Sequence, residues 1–250
     1  MKVAAYQAPL LPSGSREAVD LIRRRVDWCE SHGVAILCCP EAILGGLADN
    51  AADPREFAID AHGDQLVRSL APLASDTVTT IVGFTEVTGT GRLYNTAAVF
   101  HRGSVIGLYR KLYPAINRSI YAAGDRMPVF QIDGLTFGII ICNDSNYPEP
   151  ARVMAEQGAT ALFIPTNNGL PPEKADVAAH ARKVDIALAI EHGVFVIRAD
   201  VAGRADGMVS HGSSGIVDSR GRVLQSTQPL TEELLVADLE VSLRESRAIS

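Results

Sequence analysis

Two short apolar runs leave this chain few folds to choose from. VAILCC at Val34–Cys39 and GIIIC at Gly138–Cys142 both stop abruptly at polar sequence. Runs this short are too brief for an independent helix, so both read as strands buried on two faces. A sheet built from such strands needs a second layer on each side. The rest of the chain supplies candidates for those layers.

Lys2–Tyr6 reads as a first strand. Ser15 is placed to cap a helix in which Val19, Ile22, Val26 and Cys29 share one face, and Gly33 closes it. Asp64–Ala74 reads as a second helix with Val67, Leu70 and Leu73 inward, and Thr77–Phe84 as a strand. His101-Arg102-Gly103 joins Tyr94–Phe100 to Ser104–Arg110, and Asp133-Gly134 joins Val129–Ile132 to Leu135–Cys142, both as hairpins. Helical patterns cover Glu149–Gln157 and run from about Glu173 to Gly193, alternating with strands at Thr160–Ile164 and Val194–Ala199. A hairpin around Ser219-Arg220-Gly221 joins Ser214–Val217 to Val223–Gln225, and Leu234–Leu239 is the last strand. No linker interrupts the series, so residues 1–250 read as a single α/β domain with helices covering sheet faces. The alternation is too irregular for a (β/α)₈ barrel.

Composition narrows the partners. At 47% hydrophobic and 21% charged residues with net charge −6, the chain is that of a globular protein. It has no basic stretch to track phosphates, so no nucleic acid is expected. MKVAAYQAPL lacks the basic start and apolar core of a signal peptide. No run approaches the roughly 18 apolar residues of a membrane span, so no membrane partner is expected either. Cys29, Cys38, Cys39 and Cys142 lack zinc-type spacing and read as reduced thiols of a cytoplasmic protein, with Cys38 and Cys39 pointing to opposite faces of their strand. His180, His192 and His211 show no metal spacing and read as helix-surface or loop residues.

Functional groups in open α/β sheets gather beyond the carboxyl ends of strands. Here VAILCCPE ends in Glu41, VIGLYRK in Lys111 and FGIIIC in Cys142. A thiolate is a nucleophile, a carboxylate takes the proton of a thiol, and a cation stabilises the oxyanion formed on attack at a carbonyl. The backbone N–H of Asn143 adds a second oxyanion donor if the chain turns sharply there. Each residue also has an ordinary reading: a core cysteine, a solvated loop glutamate and a surface lysine. Spacing alone leaves both readings open.

The motifs around these residues decide in favour of chemistry. CCPEAILGG, YNTAAVF with GLYRKLYP, GIIICNDSNYPEPAR, AIEHGVFVIRAD and HGSSGIVDSRGRVL occur in order. They resemble the blocks of the nitrilase superfamily of carbon–nitrogen hydrolases over nearly the whole chain. The resemblance implies a four-layer α-β-β-α sandwich, no metal, no cofactor, and a homodimer or larger homo-oligomer. It assigns the general base to Glu41, the catalytic lysine to Lys111 and the nucleophile to Cys142. The implied reaction is attack on a small amide or N-carbamoyl carbon, loss of ammonia or an amine, and hydrolysis of the thioester.

The chain departs from the family at one point. Many members carry a second glutamate seven residues before the glycine of a Gly-Asp pair; here the pair is Gly124-Asp125 and the residue is Asn117. Asparagine positions an amide or water but cannot act as a base. A rival reading follows, in which the scaffold binds a small molecule or serves as an assembly subunit without turnover; the intact Glu41, Lys111 and Cys142 oppose it. Nitrile-hydrolysing members follow the cysteine with Trp-Glu, whereas Asn143-Asp144 follow here, so amidase or carbamoylase chemistry is expected. Carbamoyl-amino-acid hydrolases often place arginines next, where this chain has Ser145 and Asn146, which favours a neutral or differently anchored substrate.

Asn167 and Asn168, in the polar stretch after another strand, and Tyr147 are further pocket candidates. Asp144 either orients the turn after Cys142 or caps the helix that begins near Pro148. Asp200 stands where relatives commonly have asparagine. The stretch HGSSG at His211–Gly215 hints at a serine hydrolase, but the Gly-x-Ser-x-Gly spacing is missing and it reads as a turn entering a strand.

Overall fold

The structure is a computed structural model that describes residues 1–114, 119–174 and 177–240. In chain order the strands are β1 (Lys2–Pro9), β2 (Val34–Cys38), β3 (Ile59–Asp60), β4 (Thr79–Val87), β5 (Leu93–His101), β6 (Ser104–Arg110), β7 (Val129–Ile132), β8 (Leu135–Ile139), β9 (Ala161–Pro165), β10 (Phe195–Ala199), β11 (Val201–Ala205), β12 (Met208–Ser210), β13 (Gly215–Val217), β14 (Val223–Ser226) and β15 (Glu233–Asp238). The helices are α1 (Ala18–His32), α2 (Asp64–Leu70), α3 (Pro148–Glu156) and α4 (Ala178–His192).

One sheet runs β12-β11-β1-β2-β4-β5-β6, with β15 also paired to β1 and β3 to β4. The other runs β14-β13-β10-β9-β8-β7. Strands β1, β2 and β4 are mutually parallel, as are β8, β9 and β10, so their carboxyl ends gather in two rows. Alternate residues of β1 go to opposite sides. Val3 and Ala5 join the core between the sheets, while Ala4 and Tyr6 pack under α1 and α2. Helices α3 and α4 cover the far face of the second sheet. The layers are therefore α-β-β-α, as the family resemblance implies. Cys38 faces the inner core and Cys39 the outer one, the alternation expected of adjacent strand residues.

All three predicted hairpins form, the one from β13 to β14 through residues 218–222 and the other two through two-residue turns. Arg102 and Gly103 take φ of 47° and 76°, and Asp133 and Gly134 take 45° and 87°, the left-handed pair that matches strand twist. Other expectations need correction. Val67 is 42% exposed, and Leu66 takes the inward place with Leu70 and Leu73. The helix stops at Leu70 and a single 3₁₀ turn, Ala71–Leu73, follows. Pro72 cannot continue an α-helical ladder. The long helix begins at Ala178 rather than near Glu173. Strands β11 and β12 were not anticipated, because VAGRADGMVS carries little apolar alternation; their cover comes from pairing with each other and with β1.

Candidate active site

Glu41, Lys111 and Cys142 line one cavity of about 460 Å³ at the carboxyl ends of β2, β6 and β8. Glu41 arrives there because the chain leaves β2 through Cys39-Pro40 and crosses over β4. Gly83 permits the crossing, since a side chain at that point would collide with the backbone of Pro40 and Ala42. The Glu41 carboxylate is 1% exposed. Its Oε1 accepts from Lys111 Nζ at 2.6 Å and Asn95 Nδ2 at 2.8 Å, and its Oε2 accepts from the Asn167 N–H at 2.9 Å. A carboxylate offers about four lone-pair sites, so one remains, on Oε2.

Lys111 is held by its own backbone. Its N–H donates to Asn95 O and its carbonyl accepts from the Gly124 N–H, both at 2.8 Å. Burial alone would lower the ammonium's pKa, but Glu41, Cys142 and Asp144 together hold it above the usual lysine value. Lys111 is therefore a fixed cation. The thiol is the opposite case. Burial pushes Cys142 from its ordinary 9.0 up to about 12, with Glu41 adding to the rise and Lys111 and Arg198 opposing it. Half-buried and protonated, it needs a base to become a nucleophile.

The polypeptide turns sharply at the thiol. Cys142 has φ of 46°, a left-handed conformation that costs a non-glycine residue about 1–3 kcal/mol. Three bonds hold the turn: the Asp144 N–H to Ile141 O at 3.0 Å, the Ile141 N–H to Asp144 Oδ2 at 3.0 Å, and Ser145 Oγ to Cys142 O at 2.7 Å. Asp144 also accepts from Tyr109 Oη and from the Tyr113 N–H at 2.8 Å each, tying the lysine loop to the cysteine loop. Its use is thus to orient the turn; helix α3 starts from Tyr147 without a side-chain cap.

Behind the turn lies a second buried ion pair. Arg198 on β10 donates Nε to both oxygens of Asp185 on α4 at 3.0 Å, and Nη2 to Asp185 Oδ1 at 2.6 Å. Its remaining reach goes to Thr166 Oγ1 at 2.8 Å and Ser145 Oγ at 3.2 Å. The Thr166 carbonyl accepts from the Glu41 N–H at 3.2 Å, so one guanidinium braces both the glutamate and the cysteine segments.

The pocket candidates divide. Asn168 lines the cavity with Oδ1 4.0 Å from Cys142 Sγ. Asn167 also lines it, but its side chain turns back to the Gly169 N–H and to Glu41 O. Asn143 lines it too, with its amide donating to Tyr113 O at 3.1 Å. Tyr147 does not belong to the lining: its ring stacks on Tyr113 with centroids 3.8 Å apart, and it is 40% exposed. Asn117 lies outside the described residues. His180, a helix-surface residue, reaches the cavity mouth and bonds Asn146 Oδ1 at 3.1 Å. Ser213 and Ser214 of the HGSSG stretch serve Asp200, one bonding its carboxylate and the other its N–H.

Asn95, Asp185, Arg198 and the role of Ser145 escaped the sequence reading. An arginine between apolar residues in FVIRA was the available signal. A buried charge demands a buried partner, and α4 carries Asp185 in its apolar stretch. Among the described residues no cluster of three metal-ligating side chains occurs, and no helix is long and apolar enough to cross a membrane.

Comparison with known proteins agrees with this architecture. The chain is 30% identical to the "hydrolase in pqqF 5′ region" of Pseudomonas protegens, with all of this chain and 87% of that one covered. It is 32% identical to an (R)-stereoselective amidase of a Pseudomonas species over 76% of this chain and 67% of that one. Among solved structures, an amidase from Nesterenkonia sp. AN1, caught after Michael addition of acrylamide at its active-site cysteine, superposes with a TM-score of 0.80. That match has 24% identity and covers 99% of this chain and 96% of that one. The carbon-nitrogen hydrolase family model matches residues 2–248. The chain belongs to the carbon–nitrogen hydrolase family.

Proposed function

We propose that the protein hydrolyses a small primary amide or N-carbamoyl compound through a Cys142 thioester. The observation that carries this reading is one cavity lined by the Cys142 thiol, by a Glu41 carboxylate that has one lone pair left, and by the Lys111 ammonium. In the first half-reaction Cys142 Sγ bonds the carbonyl carbon while its proton passes to Glu41. The oxyanion is met by Lys111 and by the Asn143 N–H, the first donor after the left-handed bend at Cys142. Collapse breaks the C–N bond, Glu41 returns the proton to nitrogen, and ammonia or an amine departs. Water then gives Glu41 a proton and attacks the thioester, and the acid leaves as the thiol re-forms. Leu47, Leu170 and Met208 in the lining favour an apolar acyl group over a second carboxylate.

The test is ammonia release from primary amides, ω-amides of dicarboxylic acids and N-carbamoyl amines, with carbon dioxide followed in parallel because only the last class yields it. Cys142→Ala is run alongside. Ammonia that vanishes in the variant supports the reading. Folded wild-type protein that is silent across the panel contradicts it and favours a binding role, for which restoring Glu at Asn117 is the follow-up.

A further inference from the structure

Asp200 is buried at the carboxyl end of β10, and the hydrogen bonds to its carboxylate all come from donors. Oδ1 accepts from the Asn168 N–H at 3.0 Å and the Val201 N–H at 2.8 Å. Oδ2 accepts from Asn168 Nδ2 at 2.8 Å and Ser213 Oγ at 2.6 Å. Asn168 Nδ2 also donates to Ser213 Oγ at 3.2 Å, so both of its hydrogens are engaged on that side. A carboxylate cannot donate, and this fixes which end of the Asn168 amide faces it. The carbonyl end is left for the cavity, 4.0 Å from Cys142 Sγ.

We propose that Asp200 is a positioning residue that locks Asn168 with Oδ1 toward the thiol, where it accepts an N–H of the group being cleaved. A carbon bonded to Sγ carries its nitrogen into the neighbourhood of an atom 4.0 Å from that sulfur. Carboxamides and carbamoyl groups present an N–H there. Nitriles and esters do not, and they leave an acceptor facing an acceptor. The site selects by this one orientation, which an asparagine at position 200 reverses: the Asn168 and Val201 N–H groups keep its oxygen, its N–H₂ faces Asn168, and Asn168 turns its own N–H₂ to the substrate. The inference rests on the cysteine-hydrolase reading given above.

The experiment compares hydrolysis of a primary amide and the methyl ester of the same acid by wild type, Asp200→Asn, and the exchange Asp200→Asn with Asn168→Asp. The amide-to-ester ratio of kcat/KM is expected to fall about tenfold or more in Asp200→Asn, the loss of one hydrogen bond to the reacting group. It is expected to recover in the exchange, where the carboxylate itself faces the thiol. Ser213→Ala frees one Asn168 hydrogen and lowers the same ratio by less, which gives a readout should Asp200→Asn not fold. Equal losses on both substrates, or an unchanged ratio, overturn the positioning role while leaving the hydrolase reading intact. A wild type that cleaves neither substrate in a Cys142-dependent way overturns that reading, and this inference with it.

Discussion

Among the described residues, two buried carboxylate–cation pairs reach the same cavity, and they leave different atoms free. Glu41 and Lys111 meet at 2.6 Å, and so do Asp185 and Arg198. Both pairs are nearly sealed from solvent. The difference lies in what remains unspent. Arg198 distributes its guanidinium over Asp185, Thr166 and Ser145, and an arginine does not lose its proton, so the pair has nothing left to give a substrate. Glu41 keeps a lone pair in the cavity that the Cys142 thiol also lines, and Lys111 is a point charge at its wall. The same interaction type is a brace in one place and, on the proposed mechanism, machinery in the other. Arg198 reaches the same cavity, so the free valences decide which, not the position.

The comparison breaks most visibly through Glu41. On the proposed mechanism Glu41→Gln removes the base, and turnover is expected to fall about 10²–10⁴-fold. Stability should fall less, because Asp144 still opposes the Lys111 charge from nearby. Asp185→Asn is the converse. Arg198 cannot discharge, so the uncompensated cation should cost about 3–5 kcal/mol, a drop in Tm on the order of 10 °C. Paired kinetic and thermal measurements on the two variants test the distinction; equal effects on stability would remove it.

A smaller effect concerns the thiol. Glu41 adds to the rise that holds Cys142 near 12, so the pH midpoint for alkylation by a small neutral reagent should be lower in Glu41→Gln than in wild type. A midpoint that stays or rises would mean that the charge of Glu41 does not reach the sulfur. The smallest change is at the joint between the two regions. Ser145→Ala removes the hydroxyl that links Arg198 to the Cys142 carbonyl, with an expected cost of about 1 kcal/mol in denaturant unfolding and a modest loss in kcat.

Much of this was legible in the sequence, and the division has a physical basis. Strands such as β2 and β8 are written in apolar runs, and the hairpin at Asp133-Gly134 in turn chemistry, so local pattern suffices. Glu41, Lys111 and Cys142 stood out because each breaks an apolar strand with a reactive group. Pairings between distant residues leave weaker marks. Asp185 and Arg198 signal burial only through charges set among apolar neighbours, and Asn95 sits in the quoted YNTAAVF block with no sign that it would meet Glu41. The inward face of α2 was misread by one residue because Val67 and Leu66 are both apolar and Pro72 shortens the helix. Tyr147 was misassigned because an aromatic near a nucleophile suggests a pocket wall, whereas a stacking partner on another loop is invisible in a linear sequence.

Trapping the acyl-enzyme tests the Cys142 thioester itself. Wild type turning over a primary amide is quenched in acid, and the intact protein and its peptides are weighed. A mass gain equal to the acyl group is expected on the peptide carrying Cys142, absent from Cys142→Ala, which should also release no ammonia. Ammonia release that persists in Cys142→Ala, or an acyl group trapped on another residue, would contradict it.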